Sequence, residues 1–345
     1  MATPVVALDA MGGDFAPQIE VRAAVEAARS WPVRILLVGQ RDRLEPLLRE
    51  YGGERLAIEI VHADEVIGMD EMPLMAIRRK RRSSIVIASH LLKEGVCHAV
   101  VSAGNTGAIM AAMKFIVGTL PGVERPALAV VLPNRRGYCV LIDAGANVNC
   151  RPFHLKQFAI MGATYAQMIL KIPNPRVGVL SIGEEDIKGN ATVRRLHEMM
   201  RTAPVRFIGN VEGKDIFTGY ADVIVCDGFI GNVVLKASES LADMIGYLLK
   251  QEIRRRPLAQ IGYLLMKPAM RAFRRRVDYS EYGGAPLLGI RGLAIICHGR
   301  STPKAIRNAI RVAHDFVVAE LDQLIQARIA EDIQAAQAQE KQTHG

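Results

Sequence analysis

Residues 99–117 read Ala-Val-Val-Ser-Ala-Gly-Asn-Thr-Gly-Ala-Ile-Met-Ala-Ala-Met-Lys-Phe-Ile-Val. A short apolar β-forming run breaks into a Gly, Asn and Thr turn, and a segment with helical spacing follows. The same grammar recurs along the chain. Val5 to Asp9 leads into Ala10-Met11-Gly12-Gly13-Asp14, Val177 to Ile182 into the cluster Gly183–Asn190, and Val223 to Cys226 into Asp227–Asn232. Further strands are expected at Arg34–Val38, Ile58–His62, Ala127–Leu132, Tyr138–Ile142, Arg206–Gly209 and Leu293–Cys297. Apolar strands alternating with helices imply a three-layer α/β/α body with a mostly parallel sheet covered on both faces.

In such sheets ligands sit outside the carboxyl ends of the strands, so the Gly-rich clusters are expected to converge on one crevice. Glycine lets the backbone present N–H groups, and a helix N-terminus behind them favours an anion. Repeated on one sheet with Asn, Ser, Thr and Lys, these turns point to phosphate chemistry. The chain carries no G-x-x-x-x-G-K-[ST], no G-x-G-x-x-G opening a helix after the first strand, no G-x-S-x-G and no H-E-x-x-H. ATP, nicotinamide, serine-hydrolase and zincin readings lose ground accordingly.

The 345 residues carry a formal charge of +9, are 50% hydrophobic and 5% aromatic, and include five Cys. That composition suits an α/β enzyme and excludes a disordered or collagen-like chain. The five Cys are scattered with no C-x-x-C pair, which predicts free core thiols, no metal and a reducing cytoplasm. Nothing at the N-terminus resembles a signal peptide, and no apolar run is long enough to span a membrane.

Counting localises the charge. Residues 250–276 net +8 and Arg78-Arg79-Lys80-Arg81-Arg82 adds +5, on an otherwise nearly neutral body. In 250–276, Leu258, Ile261, Leu264, Leu265 and Met266 lie between cationic arms, and Pro257 and Pro268 are expected to break the segment into short pieces. Apolar residues at helical spacing with basic flanks suit an anionic membrane surface. An exposed helical hairpin at a dimer interface is the competing reading. Few aromatics and no nucleic-acid module argue against RNA or DNA.

The motif strings occur in the order Asp9–Asp14, Ser102–Ala108, Asp143–Asn147, Gly183–Asn190, Gly209–Gly213, Asp227–Asn232, Tyr282–Gly289 and His298–Ser301. Together they closely resemble the bacterial acyl-carrier-protein:phosphate acyltransferase family of phospholipid synthesis, from Pro4 to about Leu321. The resemblance implies transfer of a long acyl chain from acyl carrier protein to inorganic phosphate without a cofactor. The acyl phosphate would feed a membrane glycerol-3-phosphate acyltransferase. It also implies a homodimer and a single α/β/α body, residues 1–325, similar to phosphotransacetylases and isopropylmalate dehydrogenases. Residues 326–345 are expected to form a helix fraying into disorder. The alternative activity is that of a phosphotransacetylase-like enzyme using short-chain acyl-CoA.

Phosphate is itself the nucleophile in this chemistry, so the protein must align it with the thioester and stabilise an oxyanion. Ser102, Gly104, Asn105, Thr106 and Gly107 are the expected phosphate cradle, with Asn147 and Asn232 as further contacts. For Asn147, Asn210 and Asn232 a turn role and ligand contact stand as equal readings. Lys188 and Asn190 are the expected charge-neutralising and oxyanion-stabilising groups. His298 is expected to protonate the leaving thiolate or bind phosphate. Asp14 is read as a helix cap, and Asp143 and Asp227 as groups that orient basic partners. Asn149 stands where the family often carries an acid, which puts an indispensable carboxylate there in doubt. Arg81 and Arg82 are the expected docking point for the acidic carrier protein. The complete site expectation is a cytoplasmic, peripherally membrane-associated enzyme that touches the membrane through Leu258, Ile261, Leu264 and Leu265.

Overall fold

The structure, a computed structural model, describes residues 3–277 and 282–343; the side chains of residues 274–277 and 339–343 lie outside this description, including those of Arg274, Arg275 and Arg276 in the basic stretch. The last two residues of the expected tail, 344 and 345, also lie outside it.

The chain opens with β1 (Val5–Asp9), α1 (Gln18–Ser30), β2 (Arg34–Gly39), α2 (Arg41–Glu50) and β3 (Ile58–His62). It continues through α3 (Pro73–Arg79), α4 (Ser84–Lys93), β4 (Ala99–Ser102) and α5 (Thr106–Ala112), which runs on as a π-helical turn over Met113–Val117. The central part comprises β5 (Ala127–Asn134), β6 (Gly137–Ile142), α6 (Pro152–Met168), β7 (Arg176–Leu180), α7 (Ala191–Met200), β8 (Arg206–Val211), α8 (Asp215–Thr218) and β9 (Val223–Val225). Two long helices follow, α9 (Gly228–Arg255) and α10 (Pro257–Val277), then β10 (Ala285–Leu288), β11 (Leu293–Ile296), α11 (Pro303–Val318) and α12 (Leu321–Thr343).

One eleven-stranded sheet runs in the order β3-β2-β1-β4-β11-β10-β5-β6-β9-β7-β8. Alternation along each strand feeds both faces. In β1, Val6 and Leu8 join the cluster packed by α1, α6, α11 and α12, whereas Ala7 joins the cluster packed by α3, α4 and α5. The expected three-layer body is therefore present.

The strand sense is not uniform. β10 is antiparallel to both β11 and β5, and β5 is antiparallel to β6. The parallel group β3, β2, β1, β4, β11 thus runs in one sense and the parallel group β6, β9, β7, β8 in the other. This reversal divides the Gly-rich turns into two clusters, correcting the expectation of a single crevice.

The C-terminal helix is docked further than expected. Leu321, Ile325 and Ile329 are buried, and Lys156 of α6 pairs with Asp332 at 2.7 Å, both side chains 5% exposed. Removing either member of such a pair leaves an uncompensated buried charge and costs about 3–5 kcal/mol. Arg328 also donates to Thr164 Oγ1 and Gln167 Oε1.

The basic segment differs from expectation too. The chain breaks before Pro257 as expected, with the extended residue Arg256 between α9 and α10, but Pro268 sits inside α10, which continues as one helix to Val277. Only Gly228 and Gly231 of α9 are buried. Leu258 is 83% exposed and Leu265 79% exposed, with Ile261, Leu264 and Met266 beside them. Among the described residues no helix is long and apolar enough to cross a membrane.

Candidate active site

The first cluster gathers the turns after β1, β4 and β11. Asp9, fully buried at the end of β1, accepts hydrogen bonds from Ser102 Oγ at 2.6 Å and Met11 N at 3.1 Å. Desolvation nevertheless raises its pKa. Gly12 has to be glycine, because a Cβ there would lie 2.5 Å from Asp9 Oδ2 and 2.6 Å from Gly104 N. Asp14 N donates to Gly299 O at 2.8 Å, tying in the third turn.

The expected cradle residues are largely committed to structure within this cluster. The Ser102 hydroxyl is spent on Asp9 and also accepts from Gly104 N. Asn105 caps α5 through Ala108 N, and its amide donates to the carbonyls of Gly68, Met69 and Glu71, each at 3.1 Å. Asn105 is therefore a clamp holding the 68–71 loop. Gly107 gives close passage to Pro73, and Thr106 is exposed on the first turn of α5. His298 is exposed, and its Nδ1 accepts from Arg300 N at 3.1 Å, which leaves the proton of the neutral ring on Nε2.

Behind these turns lies Glu20, only 2% exposed, with Oε2 lacking a hydrogen-bond partner among the described residues. Its Oε1 lies 2.9 Å from where a Cβ on Gly13 would stand. Burial pushes the Glu20 carboxyl up to about 8, with Asp9 adding repulsion.

The second cluster gathers the turns after β6, β7, β8 and β9. Asp143 is its hub. Its Oδ1 accepts from Leu128 N, Gly145 N and Ala146 N, and its Oδ2 from Asn147 N at 2.7 Å and Asn147 Nδ2 at 2.8 Å. Asn147 also donates to Pro126 O, so its amide is a turn clamp. The start of α9 presses onto this hub: a Cβ on Gly231 would lie 1.9 Å from Asp143 O. Asp227 caps α9 through Phe229 N and takes Cys150 N with its other oxygen at 2.7 Å, which turns its charge toward backbone. The expectation that Asp143 and Asp227 orient basic groups gives way here, since their hydrogen-bond partners are amides.

Asn190 caps α7 by accepting from Val193 N at 2.9 Å, leaving its Nδ2 available. Lys188 is exposed on the preceding loop and forms no ion pair among the described residues, while nearby Lys214 is held by Glu184 at 2.9 Å and Glu212 at 3.0 Å. Asn232 is exposed on the first turn of α9, its side chain against Gly145. Lys188, Asn190, Asn147 and Asn232 thus belong to the second cluster, and His298 with the Ser102–Gly107 loop to the first.

Asn149 takes the left-handed conformation at φ 55°, which asparagine tolerates. All five cysteines are free and buried. Burial pushes the Cys97, Cys150 and Cys297 thiols up to about 12, so they do not supply a thiolate nucleophile at neutral pH. Among the described residues no group of three or more His, Cys, Asp or Glu could hold a metal.

Of the expected docking arginines, Arg82 is paired with Asp64 and its N–H donates to Glu65. Lys80 is held by Glu71 at 2.6 Å. Arg78, Arg79 and Arg81 are exposed and form no ion pair among the described residues.

A family described as "Fatty acid synthesis protein" matches residues 5–324. The chain belongs to this family. It is 52% identical over 325 residues to a phosphate acyltransferase from Syntrophotalea carbinolica, covering 94% of each chain. It is 50% identical to a phosphate acyltransferase from Trichlorobacter lovleyi, covering 95% of each. A phosphotransacetylase from Streptococcus pyogenes shares the fold with a TM-score of 0.63 at 16% identity, covering 92% of this chain and 95% of that one.

Of two further groups in this fatty acid synthesis family member, Asn210 is expected as a turn or ligand residue without its partner, and Glu20 is not expected at all. Asn210 donates to Glu185 O at 2.7 Å and so holds the Lys188 loop; its Gly-Asn pair is visible in the sequence, but its partner is not. Glu20 shares helical spacing with buried Ala23, Ala24 and Ala27, the one local sign that it points inward.

Proposed function

We propose that the protein transfers a long-chain acyl group from the thioester of acyl carrier protein to inorganic phosphate. An oxygen of HPO₄²⁻ attacks the thioester carbonyl, the tetrahedral oxyanion collapses, the C–S bond breaks, and the phosphate proton ends on the departing thiolate. Acyl phosphate and the free carrier thiol result. What carries the reading is the match to relatives named phosphate acyltransferase, at 50–52% identity over 94–95% of the chain.

The second cluster is the reaction centre in this reading. Lys188, exposed and in no ion pair among the described residues, supplies a positive charge for the phosphate and the oxyanion, with the Asn190 Nδ2 and Asn232 amide as hydrogen-bond donors. Phosphate aligned against the carbonyl needs no covalent enzyme intermediate, in keeping with the buried, protonated thiols. The first cluster gives phosphate less to bind, because the Ser102 and Asn105 side chains are spent internally.

The substrate and product are amphiphilic, and the exposed apolar faces of α9 and α10 suit them. Leu258, Ile261, Leu264 and Leu265 on α10, flanked by Arg254–Arg256 and Lys267, contact an anionic membrane surface. Leu241, Met244, Ile245 and Leu248 form a stripe along α9 suited to a second copy of the chain. Arg78, Arg79 and Arg81 receive the acidic carrier protein. A membrane glycerol-3-phosphate acyltransferase consumes the product. Supplying palmitoyl-carrier protein and acetyl-CoA side by side tests the reading. Phosphate-dependent loss of the palmitoyl thioester is expected, and use of acetyl-CoA alone favours the short-chain alternative.

A further inference from the structure

Beside the second cluster lies a cleft of about 490 Å³ between β7, α7, the start of α6 and the first turn of α9. Its size falls within the roughly 300–1,000 Å³ of ligand sites. Leu155, Val179, Val193 and Cys226 line it as buried groups, and the exposed apolar side chains of Phe229 and Ile230 border it. Asn190, whose Nδ2 is available, is part of the same lining.

We propose that this cleft is the acyl-chain subsite, receiving the methylenes next to the thioester carbonyl while that carbonyl sits at Asn190. The assignment rests on the acyl-transfer reading above. An anionic ligand is disfavoured there. No Lys or Arg contributes to the lining, and the one carboxylate, Asp227, is turned onto the amides of Phe229 and Cys150. The Cys150 and Cys226 thiols, raised by burial, stay neutral and behave as small apolar surface. A hydrocarbon chain is the ligand such walls accept, and the wall's extent selects its length.

The test uses the full chain with Thr192→Trp or Ile230→Trp, both at partly or fully exposed lining positions where a larger side chain is accommodated without disturbing the core. The ratio of kcat/KM for palmitoyl over octanoyl carrier thioester should fall by about tenfold or more, with the KM for phosphate unchanged. An unchanged ratio overturns the assignment. A palmitoyl thioester with a diazirine near its carbonyl gives a second readout that needs no turnover. Labelling of peptides carrying Leu155, Val179 or Val193 supports the subsite, and labelling confined to α10 overturns it. Should the unaltered protein form no acyl phosphate from either donor, the acyl-transfer reading fails while the labelling still decides the cleft.

Discussion

Asn210 reaches from the end of β8 and donates its side-chain amide to the carbonyl of Glu185 at 2.7 Å, with a longer 3.4 Å approach to the carbonyl of Lys188 itself. The loop that carries the Lys188 ammonium is thereby fastened to the sheet by a residue 3% exposed and outside the loop. Replacing Lys188 with Ala should lower kcat by about 100- to 1,000-fold, the usual loss when one charge-stabilising donor is removed. Asn210→Ala should cost about 1–3 kcal/mol of stability for the lost buried hydrogen bonds and reduce kcat by a smaller factor. Because Asn210 acts through Lys188, the double variant should be little slower than Lys188→Ala alone in steady-state assays. Additive losses would contradict the coupling.

Glu20 makes stability depend on pH with a definite sign. Its carboxyl titrates at about 8 in the folded chain against an ordinary 4.5. Below 4.5 both states hold the proton. Between 4.5 and 8 the unfolded chain ionises while the folded one keeps its proton, so stability falls as pH rises, by about 1.4 kcal/mol per unit. Glu20→Gln removes this loss. Urea midpoints measured from pH 4.5 to 8 should show the variant gaining on the parent as pH rises, and parallel curves would contradict the assignment.

Membrane contact through α10 is expected to be separable from turnover. Leu258→Asp with Ile261→Asp places two charges on the most exposed apolar face of α10. Co-sedimentation with vesicles containing anionic lipid should be lost, while turnover of soluble palmitoyl-carrier protein persists. Retained co-sedimentation would assign membrane contact to another surface.

Much of this architecture was legible in the residues. The Val5–Asp9, Ala99–Ser102 and Val223–Val225 strands declared themselves as β-branched runs ending in Gly, Asp or Asn. β10 did not, because Ala285–Leu288 contains Pro286 and follows two glycines, a pattern that reads as a turn. It is nevertheless the strand that joins β11 to β5, antiparallel to both, while the β5–β6 pair sets the opposite sense of β6 onward; a strand's partner more than 100 positions away is a long-range property that no local pattern carries. The same limit governs the site. Asn105 and Asn147 look like ligand-binding residues in sequence, yet their amides are consumed by the carbonyls of Gly68, Met69, Glu71 and Pro126, partners 21 to 37 positions away.

The arginine block sharpens in the same way. Arg82 is neutralised by Asp64, whereas Arg79 and Arg81 face solvent. Arg79→Glu with Arg81→Glu should raise the KM for the acidic carrier substrate several-fold and flatten its salt dependence. Arg82→Glu alone should act more weakly on KM. Identical kinetics for all variants at low salt would remove this face from carrier recognition.

One step decides the function: transfer of the acyl group to inorganic phosphate. It is tested most directly by incubating the protein with palmitoyl-carrier protein and ³²P-labelled phosphate and trapping the product with hydroxylamine. A labelled, lipid-extractable acyl phosphate that hydroxylamine converts to palmitoyl hydroxamate is expected, and little of it with Lys188→Ala. Thioester consumption that yields free palmitate without phosphate incorporation, or at a rate independent of phosphate, would contradict it.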